Sequence, residues 1–209
     1  MLVEELKERY ISSSIFDDED IIVLDDFLDN WENVKRFNEK YYDGYYPKTV
    51  LCGINPGKNG AGKTGVPFLD FSSLSKLIDG VVSADTERSA QFFYDIAEEI
   101  DAEKFYRSFY VTNISWIGFT KDGNNKNYYE LSDSVKDFIY DAFKYEMSVV
   151  APKTIISLSQ EVKKTVNNIF KSSGINTSAS LPHPNYCAFP KNYEKCKMQY
   201  IEMLAQYIK

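Results

Sequence analysis

His183 is the only histidine in the 209-residue sequence, and Leu181-Pro182-His183-Pro184-Asn185 confines it between two prolines of fixed φ. An imidazole is the side chain that titrates closest to neutral pH, so one held this firmly suits a donor that stabilises charge developing on a departing group. Asn55 stands where an apolar run breaks at Pro56-Gly57, a turn that points a short amide into a crevice. An amide does not titrate near neutral pH, so it can orient a water but cannot deprotonate one strongly. Asn113, in Tyr110-Val111-Thr112-Asn113-Ile114-Ser115, offers both a donor and an acceptor for reading a planar polar edge. Phe68 follows Thr64-Gly65-Val66-Pro67 and presents a ring on a stiffened approach. Three of them have an ordinary alternative: Asn55 as a turn asparagine, His183 as a loop histidine and Phe68 as core.

Residues 53 to 68, Gly-Ile-Asn-Pro-Gly-Lys-Asn-Gly-Ala-Gly-Lys-Thr-Gly-Val-Pro-Phe, carry two unrelated chemistries. Taken from Gly57, the run Gly57-Lys58-Asn59-Gly60-Ala61-Gly62-Lys63-Thr64 fits the P-loop pattern that cradles nucleotide phosphates. A P-loop starts a helix at its Gly-Lys-Thr, whereas Gly65 and Pro67 follow here, and no later strand ends in a magnesium-binding aspartate. Asp25, after Ile21-Ile22-Val23-Leu24, comes in the wrong order. Taken from Gly53, the same letters are a strand end bearing Asn55, a glycine-rich turn, and Phe68. Gly57, Gly60, Ala61 and Gly62 leave little bulk there, so backbone can approach a ligand closely.

The elements that must position these groups follow from periodicity. Residues 49–54, 109–114 and 154–158 are short continuous apolar runs, as in strands buried on both faces. Helical patterns cover 2–10, 30–41 (Trp31, Val34, Phe37 and Tyr41 on one face), 133–149 and 192–208, with Ser134 and Asp137 expected to cap the third. Alternating strand and helix predicts an α/β fold: a three-layer α/β/α sandwich with a short, mainly parallel central sheet, and ligand groups at the carboxyl ends of its strands. One domain over 1–209 is expected at this length. Cys52, Cys187 and Cys196 form no metal-type pair, and Cys52 reads as core. A net charge of −7 argues against coating nucleic acid by bulk electrostatics. Acid concentrates in Asp17-Asp18-Glu19-Asp20 and from Asp85 to Asp101, read as solvated surface. Lys58, Lys63, Lys121, Lys126, Lys191, Lys195 and Lys197 either form a local basic rim or are scattered. The lack of a signal-like start or membrane-length apolar run places the chain in the cytoplasm by expectation.

The 53–68 segment, Asn113 and Leu181-Pro182-His183-Pro184 together resemble the uracil-DNA glycosylase superfamily, most closely its single-strand-selective monofunctional branch and that branch's bacterial relatives. The resemblance implies that Asn55 positions the water attacking C1′ and that His183 stabilises charge on uracil O2. It further implies that Phe68 stacks on the flipped base and that Asn113 pairs with N3–H and O4, with Ile54 and Gly57 completing the substrate pocket. Lys58, Lys63, Thr64, Pro184, Asn185 and Tyr186 would meet DNA. Ile114-Ser115-Trp116 replaces the residues that commonly follow the base-reading asparagine, and Asn185-Tyr186 stands where a basic wedge residue is usual. Tyr186 or Phe189 would then fill the gap left by the base. The expected activity is metal- and cofactor-independent hydrolysis of the N-glycosidic bond of uracil, with other deaminated or oxidised bases open, leaving an abasic site in base excision repair. DNA is the expected partner of a chain acting as a monomer. A nucleobase- or damaged-DNA-binding module of the same fold, without turnover, is the alternative, and P-loop nucleotide hydrolysis a third.

Overall fold

A computed structural model describes residues 1–17 and 19–208; Asp18, in the acidic cluster, and Lys209 lie outside the described residues. Among the described residues six strands are formed: β1 (Ile22–Leu24), β2 (Thr49–Gly53), β3 (Phe109–Asn113), β4 (Gly118–Lys121), β5 (Asn124–Lys126) and β6 (Thr154–Ser157). The helices are α1 (Leu2–Ile11), α2 (Trp31–Tyr42), α3 (Ala61–Thr64), α4 (Phe71–Leu74), α5 (Arg88–Ile100), α6 (Ala102–Ser108), α7 (Asp133–Val150), α8 (Gln160–Ile169), α9 (Pro184–Cys187) and α10 (Pro190–Leu204).

The central sheet has the order β3-β2-β6 and is parallel throughout, with Gly53 opposite Asn113 at its carboxyl edge. Single parallel bridges from Thr154 to Asn176 and from Ser157 to Ser180 extend it beyond β6. The alternation along β3 sorts its side chains between the two helical layers. Tyr110 and Thr112 donate to Glu146 of α7 on one face, while Phe109 packs on Phe105 of α6, itself against Phe93 of α5, on the other. Burial on both faces explains why these strands are continuously apolar. The expected sandwich and short parallel sheet are therefore present.

Two local expectations are corrected. Ser132, not Ser134, caps α7, because its hydroxyl accepts from Val135 N–H while Ser134 already lies inside the first turn. A second, antiparallel sheet of order β1-β4-β5 also forms, which strand periodicity did not indicate. Its strands are three or four residues long and β5 is Asn-Asn-Lys, too short and polar to show alternation.

Candidate active site

The carboxyl ends of β2 and β3 open into a cleft of about 370 Å³, lined among others by Ile54, Asn55, Gly57, Phe68, Asn113, His183 and Asn185. Asn55 and His183 thus face one hollow, as the sequence reading required.

Asn55 is held at three points. Its Nδ2 donates to the carbonyls of Pro56 and Lys126, each at 3.2 Å, and its Oδ1 accepts from Tyr128 N–H at 3.1 Å. Two of these partners come from the end of β5 and the residues after it, so the small antiparallel sheet clamps the amide. The fixed orientation leaves an Oδ1 lone pair for a further donor such as water.

Asn113 is the opposite case. The residue is 3% exposed, yet among the described residues its side-chain amide has no hydrogen-bond partner. A polar group buried this far ordinarily finds one, so an amide left open toward a cleft is poised for a ligand. Gly53 makes room for it: a Cβ there would overlap both the Asn113 amide oxygen and the Phe68 ring. Phe68 has φ +59°, a left-handed conformation rare for a bulky residue, and its ring stacks on Phe93 at 4.7 Å between centroids. The Phe68 and His183 rings lie 6.4 Å apart. Gly53, Phe68, Asn113 and His183 therefore frame one end of the cleft with an aromatic face, an amide and an imidazole.

His183 precedes α9, and its Nδ1 accepts from Asn185 N–H at 3.1 Å. That partner assigns the proton of the neutral ring to Nε2. Burial pulls its pKa down to about 4, so the ring is a neutral donor at pH 7 rather than an imidazolium.

The other end of the cleft was missed in the sequence: Glu87, Ser89, Asn125 and Asn127 line it. Ser89 Oγ donates to Glu87 Oε1 at 2.8 Å. Burial raises the Glu87 pKa, with a smaller push from Asp70. Glu87 belongs to the acidic stretch read as solvated surface, and its local sequence carries no signal of burial.

Two residues expected at a DNA surface are not there. Thr64 is fully buried and spends its hydroxyl on the Leu69 carbonyl at 2.7 Å, and Pro184 is buried as the first residue of α9. Lys58 reaches the Gly123 carbonyl and Lys63 pairs with Asp85, so neither points into the cleft. Lys121, Lys126 and Lys197 are likewise paired with Asp20, Glu130 and Glu99, which favours scattered lysines over a continuous basic rim. Tyr186 and Phe189 are 56% and 44% exposed, and the Arg88 guanidinium lies over the Phe189 ring at 5.8 Å. The phosphate cradle also fails to form: α3 is a single turn that stops at Gly65 in the left-handed conformation, φ 71°. All three cysteines are free and buried, Cys52 in the core. Among the described residues no helix is long and apolar enough to cross a membrane.

An α/β sandwich that gathers an amide, a ring and an imidazole at the ends of parallel strands defines a pocket for a planar polar ligand. The sequence model of the Uracil DNA glycosylase superfamily matches residues 39–205, and the chain belongs to that superfamily. Its structure is similar to that of wild-type SMUG2 from Pedobacter heparinus, with a TM-score of 0.79 over 98% of this chain and 97% of that one, at 22% identity. Comparison with curated proteins finds no match.

Proposed function

We propose that the protein is a monofunctional DNA glycosylase that flips uracil, and other deaminated or oxidised bases that fit, into the cleft and hydrolyses the N-glycosidic bond to leave an abasic site in base excision repair. The observation that carries this reading is the buried amide of Asn113, without a hydrogen-bond partner among the described residues, beside the Phe68 ring and in the same hollow as the clamped Asn55 and the neutral donor His183. The base would stack on Phe68 and pair with Asn113, with Ile54 and Gly57 along the wall. As the C1′–N bond breaks, the electron pair moves to the base, and His183 Nε2–H stabilises the charge on O2. Removing one such preorganised donor typically costs about 2.7–4 kcal/mol. Asn55 Oδ1 holds the water that bonds to C1′.

Contact with DNA then falls to the cleft rim, with Asn185 lining it and Tyr186 and Phe189 beside it. Unpaired DNA suits this rim, since stacking is worth about 1–3 kcal/mol per base and Lys58, Lys63, Lys121, Lys126 and Lys197 are engaged elsewhere. The test is incubation with labelled single-stranded and duplex oligonucleotides bearing one uracil, in EDTA, followed by alkaline cleavage of abasic sites. Release of uracil supports a glycosylase, and tight binding without release supports a binding module. Turnover of ATP only with magnesium would support the P-loop.

A further inference from the structure

Glycosidic hydrolysis obliges the attacking water to lose a proton, and none of the amides lining the cleft can accept it. Of the residues lining the cleft, only His183 and Glu87 are ionisable. His183 is engaged at Nδ1 by Asn185 N–H and is needed as a donor at Nε2. Glu87 is thus the one lining group able to carry negative charge and take up a proton.

Its placement is built. The backbone N–H of Glu87 donates to Asp70 Oδ2 at 2.6 Å, and Asp70 also accepts from Ser73 N–H and from Gln91 Nε2, so the start of α5 is tied to the segment just after Phe68. The carboxyl group lies over the glycine loop. A Cβ at Gly60 would overlap it, and one at Gly57 would come within 3.3 Å of its Oε1 and 3.5 Å of Asn125 Nδ2. Gly57 is two residues from Asn55, so Asn55 and Glu87 share one wall. Oε1 accepts from Ser89, while among the described residues Oε2 has no hydrogen-bond partner.

Resting on the glycosylase reading, we propose that Glu87 is a catalytic residue that accepts the proton of the water held by Asn55 and, while ionised, stabilises the cationic sugar. In this step the C1′–N bond breaks with its electron pair going to the base, and the water oxygen bonds to C1′. One water proton moves to the Glu87 carboxylate, and the base anion is protonated from solvent. Glu87 returns its proton to solvent, so the sum is one water consumed and one neutral base released. The ionisable groups facing Glu87 are Asp70, at the head of α4, and His183 across the cleft; Lys58 on the glycine loop is turned to the Gly123 carbonyl.

The experiment is single-turnover uracil release from a single-stranded oligonucleotide between pH 4.5 and 8.5, for wild type, Glu87→Gln and Ser89→Ala, with oligonucleotide affinity measured alongside. Wild type should gain rate with rising pH along an acid limb lying above the ordinary carboxylate range. Glu87→Gln keeps the shape, and should lose at least 10²-fold in rate at pH 7.5 and flatten that limb, since general bases contribute about 10²–10⁴. Its affinity should stay within threefold or tighten, because a negative charge beside DNA is removed. Ser89→Ala withdraws the hydrogen bond that favours the ionised form and should move the limb to higher pH, a readout that stands even if Glu87→Gln does not fold. An active Gln variant with the limb intact, or a loss of rate matched by an equal loss of affinity, overturns the role of Glu87 while leaving the glycosylase reading in place. A wild type that releases no uracil overturns both.

Discussion

Because His183 is the only histidine, its ionisation can be followed without assignment ambiguity, and the structure fixes what should be seen. Burial lowers its pKa from an ordinary 6.5 to about 4, so about 2.5 pH units, or about 3 kcal/mol, oppose charging the ring in the cleft. The sign follows from linkage. A base whose folded pKa is depressed binds its proton more readily when unfolded, so this group favours the fold fully above about pH 6.5. That contribution is lost as pH falls from about 6.5 toward 4. Two-dimensional ¹H–¹⁵N spectra of the imidazole, recorded from pH 8 to 4, should show a neutral ring protonated at Nε2, with Nδ1 the acceptor for Asn185 N–H. The midpoint should fall near pH 4. His183→Ala should retain the fold and lose about 10²–10³ in single-turnover rate, the value of one preorganised donor. A midpoint near 6.5 would refute the desolvation of the ring in the cleft, and a proton found on Nδ1 would refute the neutral-donor role outright.

Three further outcomes are expected. Gly53→Ala forces a methyl group into the space shared by Asn113 and Phe68. It should abolish uracil release and destabilise the fold by about 1–3 kcal/mol, read as a lowered melting temperature. Glu146 is buried on α7, where desolvation pushes its pKa up to about 7 against hydrogen bonds from Tyr110 and Thr112. A raised carboxyl pKa costs stability progressively as pH climbs from about 4.5 through 7, so the stability of Glu146→Gln relative to wild type should grow by about 3 kcal/mol between pH 5 and 8 in urea titrations. Tyr186→Ala removes an exposed ring beside the cleft. It should reduce release from duplex DNA by about tenfold while sparing single strands, and unchanged duplex activity would assign the wedge elsewhere.

The groups legible in the sequence were those whose chemistry coincides with a break in a strong local pattern. Asn55 and Asn113 stand at or just past apolar strands, and His183 sits between prolines, so each was conspicuous before any fold was known. Glu87 was hidden because a carboxylate in a run of acids looks solvated, and only the tertiary placement of α5 over Gly60 buries it. Thr64 failed in the opposite sense. The resemblance set it against DNA, whereas the single turn of α3 rotates its hydroxyl inward onto the Leu69 carbonyl. Ser132 was overlooked as the cap of α7 since a one-residue shift in helix start cannot be resolved from periodicity alone.

The small antiparallel sheet carries more of the site than its size suggests. Asn55 extends two residues beyond β2, where no sheet hydrogen bond restrains it, and a free asparagine there would rotate among rotamers. Its Nδ2 and Oδ1 instead meet Lys126 and Tyr128 on either side of Asn127. Asn127 is itself fixed, since its backbone N–H donates to Glu130 at 2.9 Å in a capping box. β5 in turn depends on β4, and β4 on β1, which precedes the entire parallel sheet in the chain. The Asn55 amide is therefore oriented by residues some 70 positions away. Weakening the β4–β5 hairpin, for instance by Gly123→Val at φ 72°, should lower the rate of release with little change in oligonucleotide affinity. The amide would lose its orientation while the Phe68–Asn113 end of the cleft stayed intact.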